Sequence, residues 1–235
     1  MTKINERDHQ REKTMAAKEQ LFAVLAHDLR SQLYGQNFML EHLYMSANDI
    51  SKDVVAKNLL KVLESGKIIE KMCSDFLVWF DSQKGDFQAN PKLLYVRPFL
   101  TSIAILYRQT SLNLGIHLSF AAEESLVWVT DENLLAIVLR NIVDNAIRHT
   151  GSGSINIAAS SASGKLLIRV TDTGRGMHPD MIRELKKPAR AFRPNGSNFG
   201  YRFIREFSTL LGAEIEIESY IGKGTTVTIT LPAER

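Results

Sequence analysis

Residues 55–80 carry apolar or small residues in a strict alternation of four and three: Val55, Leu59, Val62, Gly66, Ile69, Cys73, Phe76 and Phe80. That repeat is a heptad seam, and it commits the segment to a long helix packed against other helices. The preceding stretch is helical in the same sense, with Phe22, Leu25, Leu29, Leu33, Leu40 and Leu43 spaced by three, four or seven. Residues 1–87 are almost free of Gly and Pro, and "MSANDISKD" has the small and polar residues of a loop and a helix start. Two antiparallel helices bury only part of these stripes. A homodimeric four-helix bundle buries them more fully.

The texture changes at "SQKGDFQANPK". "KLLYVRP" reads as a strand, with Pro98 opening a helix over Phe99 to about Asn113. "GIHLSFA" and "SLVWV" read as a strand pair, and "TDENLLAIVLRNIVDNAIRH" as a helix capped by Thr130 or Asp131. "GSINIAAS" and "GKLLIRVTD" form a hairpin around Ser161–Gly164. Residues 174–198 read as irregular, followed by a helix near Phe199–Leu211 and two alternating strands, "AEIEIES" and "TTVTITL". The expected class is α+β: a helical hairpin over 1–87, then an α/β sandwich over 88–235 with helices on one face of a mixed sheet.

Composition narrows the partners. A net charge of +3 with interspersed signs calls for neither nucleic acid nor an anionic membrane. The single cysteine, Cys73, forms no internal disulfide and fits a reducing compartment. No apolar run reaches the roughly 20 residues of a membrane span, and no secretory signal opens the chain. The expected location is cytosolic. The charged lead-in over residues 1–20 is also compatible with the soluble end of a longer membrane receptor.

Chemistry-bearing residues fall in both halves. In "FAVLAHDLRSQL", His27 lies about 160° around the helix from Leu25 and Leu29, so it points away from the apolar seam. Arg30 and Ser31 share its side, and Asp28 flanks it. A solvated face and a displayed nucleophilic imidazole both fit that placement. In "LRNIVDNAIRHT", Asn141 and Asn145 stand at i and i+4 on one helix face, a placement that fits ordinary surface residues and also oxygens suited to a hard cation such as Mg²⁺. "VTDTGRGM" ends a strand with Asp172 and fits either a common glycine turn or a site in which Asp172 accepts from an exocyclic amine and Gly174 and Gly176 let the backbone approach a planar ligand.

Taken together, these landmarks resemble the transmitter region of two-component sensor histidine kinases over roughly residues 15–232. "AHDLRSQL" is similar to that family's phosphoacceptor box, "NIVDNAIRHT" to its asparagine box and "DTGRGM" to its first glycine box. "NGSNFGYRFI" stands in the place of the second glycine box, and "GKGTTVTITLP" matches the third. The resemblance implies a dimeric helical hairpin followed by a gyrase-type ATP-binding sandwich. It implies that ATP phosphorylates a ring nitrogen of His27, with Asp28 as general base and Ser31 one turn on. Asn145, supported by Asn141, would hold Mg²⁺ against the triphosphate, with Arg148 near the phosphates. Asp172 would read the adenine amine, and His149, Gly174, Gly176, Gly196, Gly200 and Thr225 would complete the nucleotide site. The implied partner is a response-regulator receiver domain.

Three departures stand out. Gln32 replaces a helix-kinking proline, which predicts a straighter first helix. Ser31 replaces the Thr or Asn associated with phosphatase activity. In Gly196-Ser-Asn198-Phe-Gly200-Tyr201 the middle glycine of the second box is Asn198, which predicts weak ATP affinity. Lys186, Lys187, Arg190 and Arg193 supply positive charge beside it, with Phe192 as remnant of an aromatic lid. Two rival readings share part of this pattern: a gyrase-type ATPase or serine kinase, and a non-catalytic dimeric scaffold.

Overall fold

The computed structural model describes residues 26–27, 29–46, 50–82, 87–186 and 199–233. The chain divides into two compact units, Met1–Asp81 and Ser82–Arg235. Among the described residues no helix is long and apolar enough to cross a membrane.

The first unit holds α1, helical at 26–27 and 29–45, and α2, Lys52–Ser82. Ser51 Oγ accepts from Val54 N at 3.4 Å as α2 begins. The side of α2 covered within the chain comprises buried Val62, Asp75 and Trp79 with half-buried Val55, Ile69, Met72 and Phe76. The 55–80 repeat therefore splits. Val55, Val62, Ile69 and Phe76 face inward, whereas Leu59, Cys73 and Phe80 are exposed. Leu63 and Leu77 extend that outer row at heptad spacing. Asp75 tolerates its burial through an i,i+4 ion pair with Lys71 at 3.3 Å.

The second unit is built on two sheets. A two-stranded antiparallel ribbon pairs β1 (Lys92–Tyr95) with β3 (Val127–Thr130). The main sheet has the order β2-β4-β5-β7-β6, from β2 (Ile116–Ala121), β4 (Gly153–Ala162), β5 (Lys165–Asp172), β6 (Glu214–Tyr220) and β7 (Gly224–Leu231). The expected β2–β3 pair does not form. β2 runs parallel to β4, and β3 joins β1 instead. The residues of a strand fix which face it buries but not which strand it pairs with, and no tight turn joins these two. The hairpin between β4 and β5 turns through Ser163 and Gly164, both at positive φ (51° and 71°).

The helices are α3 (Val96–Asn113), α4 (Glu132–His149), α5 (Pro179–Lys186) and α6 (Phe199–Leu210). α3 starts earlier than expected, so Pro98 lies within its first turn. α5 was expected to be irregular; its Pro start and acidic first turn are the local signal for it. Strand burial alternates, putting Ile155, Ile157, Leu166, Ile168, Val170 and Ile229 in the core. α4 lies in the middle of the helical layer, with α6 against it, and buries Leu134, Leu135, Val138, Leu139, Ile142 and Val143.

Asp131 caps α4. Its Oδ1 accepts from Leu134 N at 3.1 Å, and its Oδ2 accepts from Asn90 N at 2.8 Å. One buried carboxylate thus ends the ribbon, starts the central helix and holds the segment entering the unit. Asp131→Ala should lower this unit's stability by about 1–2 kcal/mol, with Asn retaining most of the cap. Thermal unfolding followed by circular dichroism checks this, and a midpoint unmoved by the alanine contradicts it.

Candidate nucleotide site

The period-2 burial of β5 carries Leu166, Ile168 and Val170 inward and then does the same to Asp172. A carboxylate at the end of an apolar row needs partners. Asp172 Oδ1 accepts from Gly174 N at 2.8 Å and from Thr225 N at 3.3 Å. Oδ2 accepts no hydrogen bond among the described residues. Burial raises this carboxyl above its ordinary value of 3.8, and the two amide bonds pull partly the other way.

Thr225 is register partner to Asp172 across β5 and β7. Its hydroxyl lies 2.9 Å from Ser219 Oγ, which donates to Gly224 O and accepts from Met177 N at 2.8 Å. Ser219 was not anticipated as part of this region. Its signal was its inward position in "EIEIES", where Ile215 and Ile217 precede it at every second residue.

The glycines of "DTGRGM" are also required by the fold itself. A Cβ on Gly174 would collide with His149 O and Asp172 Oδ1, and one on Gly176 (φ 68°) with Tyr220 O. These glycines let the turn press against the end of α4 and the β6–β7 turn, so the close approach they permit is to the protein's own backbone.

Asn141 and Asn145 share one face of α4, as their spacing required. Asn141 is buried among the core side chains, with Nδ2 donating to Ile137 O at 2.8 Å. Asn145 is half-buried and makes no side-chain hydrogen bond among the described residues. Gly200, in the first turn of α6, rests on this pair: a Cβ there would lie 3.1 Å from Asn141 Oδ1 and 3.7 Å from the Asn145 amide. Any larger residue would fill the space over the carboxamides.

His149 continues the row one turn beyond Asn145. Its carbonyl accepts from Arg175 N at 3.2 Å, and its Nδ1 lies 3.0 Å from Arg175 Nη2. Burial, then Arg175 and Arg148, push its pKa down from 6.5. Arg148 is exposed beside it. The structure thus brings Asn141, Asn145, Gly200, His149, Gly174, Gly176, Asp172 and Thr225 together along the second half of α4. His27 and Ser31 are exposed on α1, in the other unit, with Arg30 also exposed on that side. Asp28 and Gly196 lie outside the described residues, as do Lys187, Arg190, Phe192, Arg193 and Asn198. Among the described residues no group of three or more His, Cys, Asp or Glu gathers to hold a metal.

A two-layer unit with an aspartate at a strand end, facing an asparagine-bearing helix across a glycine turn, is the arrangement of a gyrase-type nucleotide-binding domain. Residues 130–235 match the family described as histidine kinase-, DNA gyrase B-, and HSP90-like ATPase. The chain is 26% identical over 231 residues to sensor histidine kinase YvrG of Bacillus subtilis strain 168, covering 93% of this chain and 39% of YvrG. It is 25% identical over 225 residues to sensor protein SrrB of Staphylococcus aureus strain MRSA252, covering 92% of this chain and 38% of SrrB. The chain therefore spans under two fifths of these relatives.

The fold is that of histidine kinases of known structure. Acinetobacter baumannii AdeS superimposes with a TM-score of 0.67 at 16% identity, over 89% of this chain and 98% of that one. ThkA, solved with response regulator protein TrrA, gives 0.66 at 16% identity, over 97% and 66%. Full-length ShkA, solved with AMPPNP, gives 0.61 at 18% identity, over 88% and 45%. Over most of its length the chain is thus similar to sensor histidine kinases, and its second unit has the gyrase-type ATPase fold.

Proposed function

We propose that this chain is the transmitter portion of a sensor histidine kinase, which binds Mg-ATP along α4, phosphorylates His27 and passes the phosphoryl group to an aspartate of a receiver domain. One observation carries the nucleotide half of the reading. The carboxylate at the end of β5 commits one oxygen to two backbone amides and leaves the other without a hydrogen bond among the described residues. An acceptor held rigid in this way at the end of a buried strand suits an exocyclic amine.

The Asn141–Asn145 face fits a magnesium-bound triphosphate. Carboxamide oxygens are hard, neutral ligands, and the triphosphate brings the negative charge. Gly200 brings the first turn of α6 close over them with no side chain in between, and Arg148 adds positive charge at the end of the row. The ion would supply charge neutralisation for phosphoryl transfer, while the protein positions the nucleotide and the acceptor. In the transfer itself an imidazole nitrogen of His27 bonds to the γ-phosphorus, ADP departs, and Asp28 takes the ring proton. His27 is exposed on a helix, as an acceptor reached by both a nucleotide domain and a receiver domain must be. Ser31, one turn on, keeps a hydroxyl where a water for dephosphorylation would be oriented.

The homodimer reading is supported by the outer row of α2. Leu59, Leu63, Leu77 and Phe80 are exposed within one chain, as are Phe38 and Tyr44 of α1. A second copy burying them completes a four-helix bundle. The transmitter reading puts the chain in the cytosol, alone or as the soluble end of a membrane receptor.

Titration of the full chain with Mg-ATP by calorimetry tests the nucleotide half. The native chain should bind, and Asn145→Asp should bind about tenfold more weakly, because it adds a carboxylate beside the triphosphate. Absence of binding by the native chain would favour a non-catalytic scaffold, and unchanged affinity in the variant would remove Asn145 from the metal role.

A further inference from the structure

Arg175 of "DTGRGM" has so far appeared only through its contacts with His149. It nevertheless ties three segments together. Its N–H donates to His149 O at the end of α4 (3.2 Å), its carbonyl accepts from Gly222 N in the β6–β7 turn (2.8 Å), and its guanidinium reaches His149 Nδ1 (3.0 Å). The two backbone links survive any substitution. The third belongs to the side chain alone.

That third link has a definite chemical sense. A guanidinium nitrogen can only donate, and it stays charged at any ordinary pH. Nδ1 of His149 must therefore accept, which leaves the ring neutral with its proton on Nε2. His149 stands at i+8 from Asn141 and i+4 from Asn145, on the face assigned above to the triphosphate.

We propose that Arg175 is a positioning residue for nucleotide: by donating to Nδ1 it holds the His149 imidazole as the neutral Nε2–H tautomer, so that the ring offers the nucleotide one fixed hydrogen-bond donor. The proposal rests on the nucleotide reading above and deepens it. The charged groups acting on the ring are Arg175 from the turn and Arg148 from its own helix, and both disfavour a second proton. Asp172, the carboxylate at the neighbouring strand end, has its Oδ1 engaged by the Gly174 and Thr225 amides. The neutral ring and its bond to Arg175 thus persist above the ordinary value of 6.5 and are lost as pH falls through the depressed one.

The test is nitrogen NMR of the full chain labelled in its histidines, with His149→Gln to assign the signal, alongside Mg-ATP titration. The native chain should display the Nε2–H tautomer at His149 and a titration midpoint below 6.5. Arg175→Ala should let the Nδ1–H form appear, move the midpoint upward, and weaken Mg-ATP binding at pH 8 by about three- to tenfold. Arg175→Lys, which still donates, should restore part of the native tautomer ratio. A native Nδ1–H tautomer, or a tautomer and midpoint unchanged in the alanine variant, would overturn the proposal, even if that variant were less stable. The tautomer measurement needs no nucleotide. A native chain with the expected tautomer but no Mg-ATP binding would therefore refute the nucleotide reading and leave the Arg175–His149 contact standing.

Discussion

His27→Gln should abolish transfer of label from γ-labelled ATP to the chain while leaving its helix content and self-association unchanged. Glutamine is a good helix former of similar size that still offers a donor and an acceptor, and position 27 is exposed, so the helix and its packing should hold. The change is chemical. An imidazole carries a nitrogen lone pair that can attack phosphorus, whereas the carboxamide delocalises its nitrogen lone pair into the carbonyl. The expected loss is therefore complete within detection rather than partial. Gel autoradiography with parallel circular dichroism and sedimentation reads both arms, and label retained by a folded variant would move the phosphoacceptor to another residue.

Asp172→Asn should cost about a hundredfold in ATP affinity, roughly 2.7 kcal/mol, without weakening the fold. In the native chain Oδ1 receives two backbone amides and Oδ2 is left for an incoming donor. An asparagine cannot serve both sides. With its oxygen toward Gly174 and Thr225, its amine meets the adenine amine; turned over, its amine meets the two N–H groups. The sign of the ionisation effect separates binding from stability. The folded carboxyl is raised above 3.8, so the stability owed to its neutral form is full below that value and is lost as pH rises through the raised one. At neutral pH the fold thus carries a buried charge that asparagine removes. Calorimetry should accordingly show weaker ATP binding and a reduced preference over GTP, whose corresponding edge is an acceptor. An unchanged affinity would take Asp172 out of adenine recognition.

Features encoded by local periodicity were legible before the structure was known. The long helices, the capped central helix and the β4–β5 hairpin each follow from residues within a few positions of one another. So does the shared face of Asn141 and Asn145, which needs only the helical repeat. Pairing between distant segments was not legible. β2 and β3 are consecutive strands in the chain, yet β2 takes β4 and β3 takes β1, because partner choice depends on where the helices pack. The seam of α2 was half legible. A heptad pattern marks apolar positions without saying which are covered by the same chain, and Leu59, Cys73 and Phe80 are on the uncovered side. In the site, residue types were readable but their contacts were not. Gly174 and Gly176 read as room for a ligand, but that they also make room for the backbone of His149 and Tyr220 was not readable. The contacts of Arg175 and Ser219 could not be read from their own segments, because they arise only where the glycine turn meets the end of α4 and the β6–β7 region.

The central claim is that a nucleotide site on the second unit supplies phosphoryl groups to an imidazole on the first. The most direct measurement is the chemical stability of the label after the native chain is incubated with Mg-ATP labelled in its γ-phosphate. The account predicts a phosphoryl–nitrogen bond, labile in acid and stable in base. An acid-stable phosphate, or no label at saturating nucleotide, would contradict it.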